Sequence, residues 1–380
     1  MSAIQKVSFS KLTTWRTCHM QYNYRYVQKL RRKQKSAALY TGGSVHDALE
    51  AFYKGKSWNA VLKNGQKSFN KLFKEERDRL GDIPGITRNI VERYIDNWAD
   101  ADLTPIKTEA AFEVEIKNGI VLEGKIDLIA SDSKDRVWVE EHKTCKTMPD
   151  EAVRMADTQS IIYGSKIIMN SLGFARASGV IWDYLRKKIP VVPELLKKGG
   201  LSKNKGIDTT PEIYMQAIVD NKLDPNDYRD VLDKLEYKDE AFFKRVKLPL
   251  SKHMTDSVLN DVVSTGTQIR VYGELWTDKN MGKMRCNYCD YFQLCQAEVR
   301  GAPDDYIREH QYEISTGRPK NDKGKKESRT QKESRIKKEI KQKNQDKRKA
   351  KVKRRIKKDP ARTRVAPGDK RTTVRKKRDR

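Results

Sequence analysis

Apolar residues recur at helical spacing over residues 10–27, where Leu12, Trp15, Tyr22 and Tyr26 stand three, seven and four apart and predict one amphipathic helix. Ser8 or Ser10 is placed to cap its start. Further helices are predicted over 44–76, 86–99 and 151–171. Alternation of period two, rich in Val and Ile, predicts strands over 109–117, 119–130, 136–144 and 177–186. From 210 to 275 the pattern is mostly helical, interrupted by a strand near 242–248. Interleaved helices and strands predict an α/β fold, and no internal repeat is visible.

Past about residue 315 nearly all aromatic and large apolar residues disappear. A segment of that kind buries too little surface to offset its ordering entropy, so 316–380 is expected to be disordered. It also carries most of the charge. The chain holds 80 Lys+Arg and 52 Asp+Glu, net +28, of which 316–380 contributes 30 and 8, net +22. The folded part is nearly neutral and the tail is a polycation, which points to a polyanionic partner, nucleic acid before anionic membrane. The tail either binds phosphate backbone without reading sequence or serves as a solubilising polycation. Lacking aromatics, it offers no base-stacking platform. No apolar run approaches the length of a membrane span, and MSAIQKVSFSKL lacks the apolar core of a secretion signal, so the protein is expected in the cytoplasm. Five cysteines are too few and too unevenly spaced for a secreted disulfide framework.

The stretch from Gly124 to Thr144, GKIDLIASDSKDRVWVEEHKT, carries the chemistry. Ser131 to Asp135 is turn material between two strands. A turn centred on Lys134 sets residue 127 opposite residue 141, and directly opposite residues share a face with Cβ atoms roughly 5 Å apart. Lys143, two beyond Glu141, projects from that same face. Asp127, Glu141 and Lys143 therefore converge. Two carboxylates directly opposite repel unless something compensates them. A divalent cation does so, and Mg²⁺ favours one or two carboxylates with water and phosphate. Lys143 is then placed to hold or deprotonate the attacking water, or to neutralise transition-state charge. Glu140 and Glu141 are adjacent and face opposite ways. Glu141 is chosen because it shares the face of Lys143.

Asp127…Glu141-x-Lys143, with Gly124-x-x-Asp127 and Glu141-x-Lys143-Thr144, resembles the core of the PD-(D/E)xK nuclease superfamily, in its RecB-like branch. Gly42-Gly-Ser-Val-His46 resembles that branch's Gly…His element, and Gln159-x-x-x-Tyr163 its Gln-x-x-x-Tyr element. The resemblance covers about residues 8–298. It implies a restriction-endonuclease-like core with a central mixed β-sheet flanked by helices. It also implies Mg²⁺ or Mn²⁺ held by His46, Asp127, Glu141 and the backbone carbonyl of His142, whose side chain is expected to point away. Gln159 and Tyr163, four apart on one helical face, would steady the site and contact the DNA strand. On this reading 1–315 is the nuclease domain, with a helical insert at about 195–275, and 316–380 is the polybasic tail.

Cys286-x-x-Cys289-x₅-Cys295 places three thiols within ten residues. A closed site needs a fourth, from Cys18 or Cys145. Cys145, two residues past Lys143, is expected to be a packed, inert thiol. Four thiolates suit either an iron–sulfur cluster or tetrahedral zinc. One cysteine near the start and three near the end, with Ser8-Phe-Ser10-Lys-Leu12 leading to Cys18 and Tyr22, resembles AddB-type subunits and CRISPR-associated RecB-like exonucleases. That resemblance implies a [4Fe–4S] cluster on Cys18, Cys286, Cys289 and Cys295, stapling the two ends of the core, a closure worth on the order of a few kcal/mol.

No Gly-x₄-Gly-Lys-Ser/Thr is present, so any helicase or recombination motor is a separate protein. The run Lys197-Lys-Gly-Gly-Leu-Ser-Lys-Asn-Lys205 resembles a segment of phage-borne members. It is either a DNA-guiding loop or a plain surface loop. Trp182 and Tyr184 alternate on a strand and are expected in the core. The expected activity is hydrolysis of DNA phosphodiesters, as an exonuclease on single-stranded DNA ends, in recombination, repair or phage DNA processing. A second class is a non-catalytic nucleic-acid-binding protein that keeps a degenerate nuclease fold and a structural metal site.

Overall fold

The computed structural model describes residues 4–98, 103–150, 157–204, 206–236 and 241–315. The polybasic run 316–380 and residues 151–156 of a predicted helix lie outside the described residues.

Six strands form one mixed sheet. β1 (Gln5–Ser8), β4 (Ile120–Asp132), β5 (Val137–Cys145), β6 (Gly179–Arg186) and β7 (Phe243–Pro249) lie in that order, and β3 (Leu103–Lys117) also pairs with β4. β1–β4 and β5–β6 are parallel; β3–β4, β4–β5 and β6–β7 are antiparallel. β3 runs along β4 from Ile120 to Asp132, so β1 and β5 must share its other edge. β1 takes residues 120–123 and β5 takes 128–131. The four residues Gly124–Asp127 are thus left between the departing β1 and the arriving β5, and a fork opens there.

Strand alternation sorts side chains onto two faces. Ile120, Leu122, Ile126, Val139, Val180, Trp182 and Tyr184 pack in one core with Leu12, Trp15, Ile161, Ile162, Val258 and Ile269. These come from α1 (Phe9–Thr17), α7 (Thr158–Tyr163) and α11 (Lys252–Tyr272). Leu185 packs on the other side with Val45, Leu49, Leu62, Ile90, Val91 and Tyr94, from α3 (Ala37–Tyr53), α4 (Trp58–Phe69) and α6 (Ile83–Trp98). The sheet is therefore flanked by helices, as the sequence predicts. Trp182 and Tyr184 are buried core residues.

Several elements differ from the pattern-based expectation, among them the helix over 151–171, whose described part is interrupted at Gly164–Ser165. The helix over 10–27 begins with Ser8, whose side chain accepts from the Lys11 N–H, but it breaks at Cys18, which is extended. It resumes as α2 (His19–Tyr22) and a wide turn over Asn23–Val27. A distant loop drives the break: the Asn280 side-chain amide donates to the Thr17 carbonyl, and the Met20 N–H donates to that of Asp278. The helix over 44–76 starts earlier, capped by Ser36, and is split at Gly55 (φ +64°). The segment expected as a helical insert at about 195–275 is two things. α9 (Pro211–Asp220) and α10 (Arg229–Glu236) bury Leu201, Tyr214, Ile218, Tyr228 and Leu235 in a small core of their own. Residues 243–249 instead complete the main sheet, and α11 packs on it through Val258, Val262 and Ile269. No helix among the described residues is long and apolar enough to cross a membrane.

Candidate active site

The β4–β5 ladder runs from Ser131↔Val137 to Leu128↔Glu140. Continued one step, this register sets Asp127 against Glu141. At that step the strands diverge. The Asp127 side chain leans across the fork, and its Oδ2 accepts from the backbone N–H of His142 at 3.0 Å. On the far edge the same kind of count sets Asp127 opposite Glu109, which adopts a left-handed φ of +50°. For a residue other than glycine that conformation costs about 1–3 kcal/mol, and such strain gathers at functional sites.

Glu141 and Lys143 project from the face that carries α7. Lys143 Nζ donates to Glu141 Oε2 at 3.2 Å and to Gln159 Oε1 at 3.1 Å, and lies 3.8 Å from Asp157. Gln159 Nε2 in turn donates to the Tyr163 hydroxyl at 3.3 Å. Asp157 accepts from the Gln159 N–H and so caps α7, which fixes the helix that carries Gln159 and Tyr163. Gly124 is needed for this packing: a Cβ there would stand 2.6 Å from the Phe112 ring and 2.9 Å from the Tyr163 hydroxyl. Gly42 has a similar reason, since a Cβ would come within 3.3 Å of Thr144 Oγ1 as α3 passes β5.

The electrostatics call for a cation. Burial first, then Asp127, push the Glu141 carboxyl up to about 8, against the pull of Lys143. Its Oε1 is buried and has no hydrogen-bond partner, an arrangement that costs free energy unless an ion or donor completes it. For Asp127, burial opposes ionisation, but the hydrogen bond and charge of His46 bring its carboxyl down to about 2. Burial would lower Lys143, yet Glu141, Asp157 and Asp127 outweigh it and hold the ammonium charged. His46, on α3, places Nδ1 3.4 Å from Asp127 Oδ1. Ligand atoms of His46, Asp127 and His142 lie within 4.8 Å of one another. These donors and the orphaned Glu141 oxygen fit a divalent cation.

The structure thus brings His46, Asp127, Glu141, Lys143, Gln159 and Tyr163 together. His142 departs from expectation. Its ring was expected to turn away from the cation site; instead Nδ1 lies 3.9 Å from Asp127 Oδ2, because Asp127 leans through the fork and so meets residues of both faces.

Behind His142 is a buried polar group that sequence reasoning missed. Arg245 donates to both carboxylate oxygens of Asp183 (2.7 and 2.6 Å) and to Glu140 Oε1 (2.9 Å). The Tyr94 hydroxyl contacts Glu140, His142 Nε2, Asp183 and Tyr53. Burial, then Glu140, push Asp183 up to about 7, against the pull of Arg245. Burial also lowers His142 to about 4. The available signal was an aspartate between Trp182 and Tyr184 in an apolar strand; its partner Arg245, directly across the ladder, had none. Asp157 was missed as well, since it lies just before α7 with no motif around it.

Cys18, Cys286, Cys289 and Cys295 line one cavity between the two ends of the chain, beside Met20, Tyr24 and Tyr291. None is in a disulfide, and no three of these sulfurs are among the described groups spaced for a single ion. Cys145 stands apart, its thiol 3.8 Å from the Met148 sulfur.

Among solved structures, a protein named as a candidate exonuclease from Eubacterium rectale shares 12% identity at a TM-score of 0.41, covering 76% of this chain and 88% of that one. A protein named SSO0001 shares 12% at a TM-score of 0.32, covering 78% and 88%. No curated protein matches. The family model described as the PD-(D/E)XK nuclease superfamily matches residues 6–296, from β1 through the last of the clustered cysteines. That span contains every element of the fork and its acidic pair, and the chain belongs to the PD-(D/E)XK nuclease superfamily.

Proposed function

We propose that this phosphodiester hydrolase is a divalent-metal-dependent DNA nuclease of the RecB-like branch, acting as an exonuclease on single-stranded ends. The observation that carries the reading is the cluster at the fork: His46 Nδ1 lies 3.4 Å from Asp127, Glu141 is buried with an orphaned oxygen, and Lys143 donates to Glu141 at 3.2 Å. His46, Asp127, Glu141 and the His142 carbonyl would hold Mg²⁺ or Mn²⁺, which would supply Lewis acidity to the scissile phosphate and the attacking water. The chain's own groups do the rest. Lys143, hydrogen-bonded to Glu141 and Gln159, is placed as a cation beside the reacting phosphate. It orients the water and meets the charge that builds on the non-bridging phosphate oxygens. Water adds to phosphorus, the bond to the leaving sugar oxygen breaks, and the proton ends on that oxygen. Gln159 positions Lys143, and Tyr163, buried in the core rather than open to a DNA strand, braces Gln159. The nuclease domain is 1–315, and the tail at 316–380 adds non-specific attraction to phosphate. The setting is the cytoplasm, of the host for a phage-borne protein, in recombination, repair or phage DNA processing beside a separate helicase or recombination protein.

With Mg²⁺ or Mn²⁺, end-labelled linear single strands are expected to shorten progressively, while circular single strands of the same sequence persist. Cleavage of circles at a comparable rate would overturn the exonuclease assignment. Survival of every substrate, with either metal, would overturn the nuclease reading itself.

Cys18, Cys286, Cys289 and Cys295 are proposed to hold a [4Fe–4S] cluster. Four thiolates on one zinc crowd around a single ion with bonds of about 2.3 Å, whereas a cluster attaches each thiolate to a different iron and needs them farther apart. The four cysteines line one cavity, as a shared metal centre requires, and the resemblance to iron–sulfur nucleases favours the cluster. Anaerobically purified protein is expected to be brown and to carry about four irons per chain, both lost in Cys289→Ser. Stoichiometric zinc in place of iron would refute this.

A further inference from the structure

The ring of His142 sits where strand alternation alone would make it an inert core residue. The proton inventory around it says otherwise. The Tyr94 hydroxyl has one proton and four polar neighbours: Tyr53 at 2.6 Å, Glu140 Oε1 at 3.1 Å, His142 Nε2 at 3.0 Å and Asp183 Oδ2 at 3.1 Å. Two of these are carboxylates, pure acceptors when ionised, and each presses for that proton. With the Tyr94 proton given to a carboxylate, the contact to His142 must be donated by the ring, from Nε2–H to the tyrosyl oxygen. The proton then sits on Nε2, and Nδ1 keeps its lone pair. That lone pair lies on the side of Asp127, 3.9 Å from Oδ2, with His46 Nδ1 3.4 Å from the other oxygen of the same carboxylate. Two acceptors face each other with no proton between them, at a spacing that a cation with bonds of about 2.0–2.2 Å bridges. Metal-binding histidines characteristically donate their second ring nitrogen to an oxygen acceptor that fixes tautomer and orientation. Tyr94, itself buried and tied to Glu140 and Asp183, is such a partner.

We propose that the His142 imidazole is itself a ligand of the cation at the fork, so that two imidazoles, from His46 and His142, join Asp127 around it. This rests on the fork being a divalent-metal site. It shifts the choice of cation: a second nitrogen ligand beside that of His46 moves preference away from Mg²⁺, along the first-row series toward Mn²⁺ and, more strongly, Co²⁺. It also turns the Tyr94–Glu140–Asp183–Arg245 group from core packing into the support that sets a ligand's tautomer.

The experiment is pulsed EPR on Mn²⁺ bound to the full chain, read for ¹⁴N modulation, without substrate. The wild type is expected to show nitrogen coupling that persists, at reduced depth, in His46→Ala. Complete loss of nitrogen modulation in His46→Ala, with Mn²⁺ still bound, would overturn the proposal, since it leaves His46 as the lone nitrogen donor. No variant of His142 has to fold for this outcome. Asp127→Ala separates the two levels of the argument. If it binds Mn²⁺ by calorimetry as tightly as the wild type, the fork is not the cation site at all. If it loses Mn²⁺ while His46→Ala shows no nitrogen, only the His142 assignment falls. His142→Gln is expected to weaken Mn²⁺ binding at least tenfold and Mg²⁺ binding less, and equal losses for the two ions would count against a nitrogen ligand.

Discussion

Lys143→Ala is expected to slow single-turnover DNA hydrolysis by about 10²–10⁴-fold, the range typical of a positioned proton-handling or charge-stabilising group. The ammonium bridges Glu141 and Gln159, so its loss removes both the charge opposite the developing phosphorane and the anchor of Gln159. Binding should suffer less than chemistry, because the phosphate gains charge only in the transition state. Rapid-quench assays on end-labelled single strands at saturating Mn²⁺ would read this as a fall in rate constant with little change in DNA affinity. A loss below tenfold would mean that Lys143 is an ion-pair partner of Glu141 and no more. Lys143→Arg tests the geometry: the charge is kept, but a planar guanidinium does not reproduce a compact point charge, so recovery should be small.

The second large effect concerns stability. Arg245→Met is expected to destabilise the fold by roughly 3–5 kcal/mol, the usual cost of removing one partner from a buried ion pair. Arg245 is the cation that donates to Asp183 and Glu140, both fully buried, and Glu140 Oε2 is already without a hydrogen-bond partner. The loss should depend on pH. The Asp183 carboxyl stands near 7 in the folded chain, above its ordinary value of about 3.9 in an unfolded one. As pH rises between these values the unfolded state releases its proton first, so the folded state binds more protons and stability falls with pH. Without Arg245 the folded value climbs further and the penalty widens toward neutral pH. Urea denaturation at pH 5 and pH 8 should show the variant closer to wild type at the lower pH. Equal losses at both would place the destabilisation in packing, through the lost stacking of Arg245 on Trp98, rather than in charge.

The sequence by itself determined what depends on neighbours along the chain. Turn residues at 131–135 and the strict two-residue period of a strand are enough to set 127 against 141 and to give Glu141 and Lys143 one face, since a hairpin register is counted from its turn. A spacing of four on α7 likewise suffices to pair Gln159 with Tyr163. A serine cap at 8 or 10 and the apolar faces of Trp182 and Tyr184 are legible for the same reason, and the structure selects Ser8. What only the tertiary structure decided involves partners remote in sequence. The helix over 10–27 breaks at Cys18 because the loop around 278–280 claims backbone groups on either side. Strand β7 and helix α11 join the main core rather than an insert because the sheet has an edge for one and an apolar face for the other. Arg245 meets Asp183 across a ladder that no local rule announces. The orientation of His142 is the sharpest case. Alternation sends its ring behind the sheet, but β1 and β5 each cover only part of one edge of β4, and through the gap between them Asp127 reaches a residue of the opposite face.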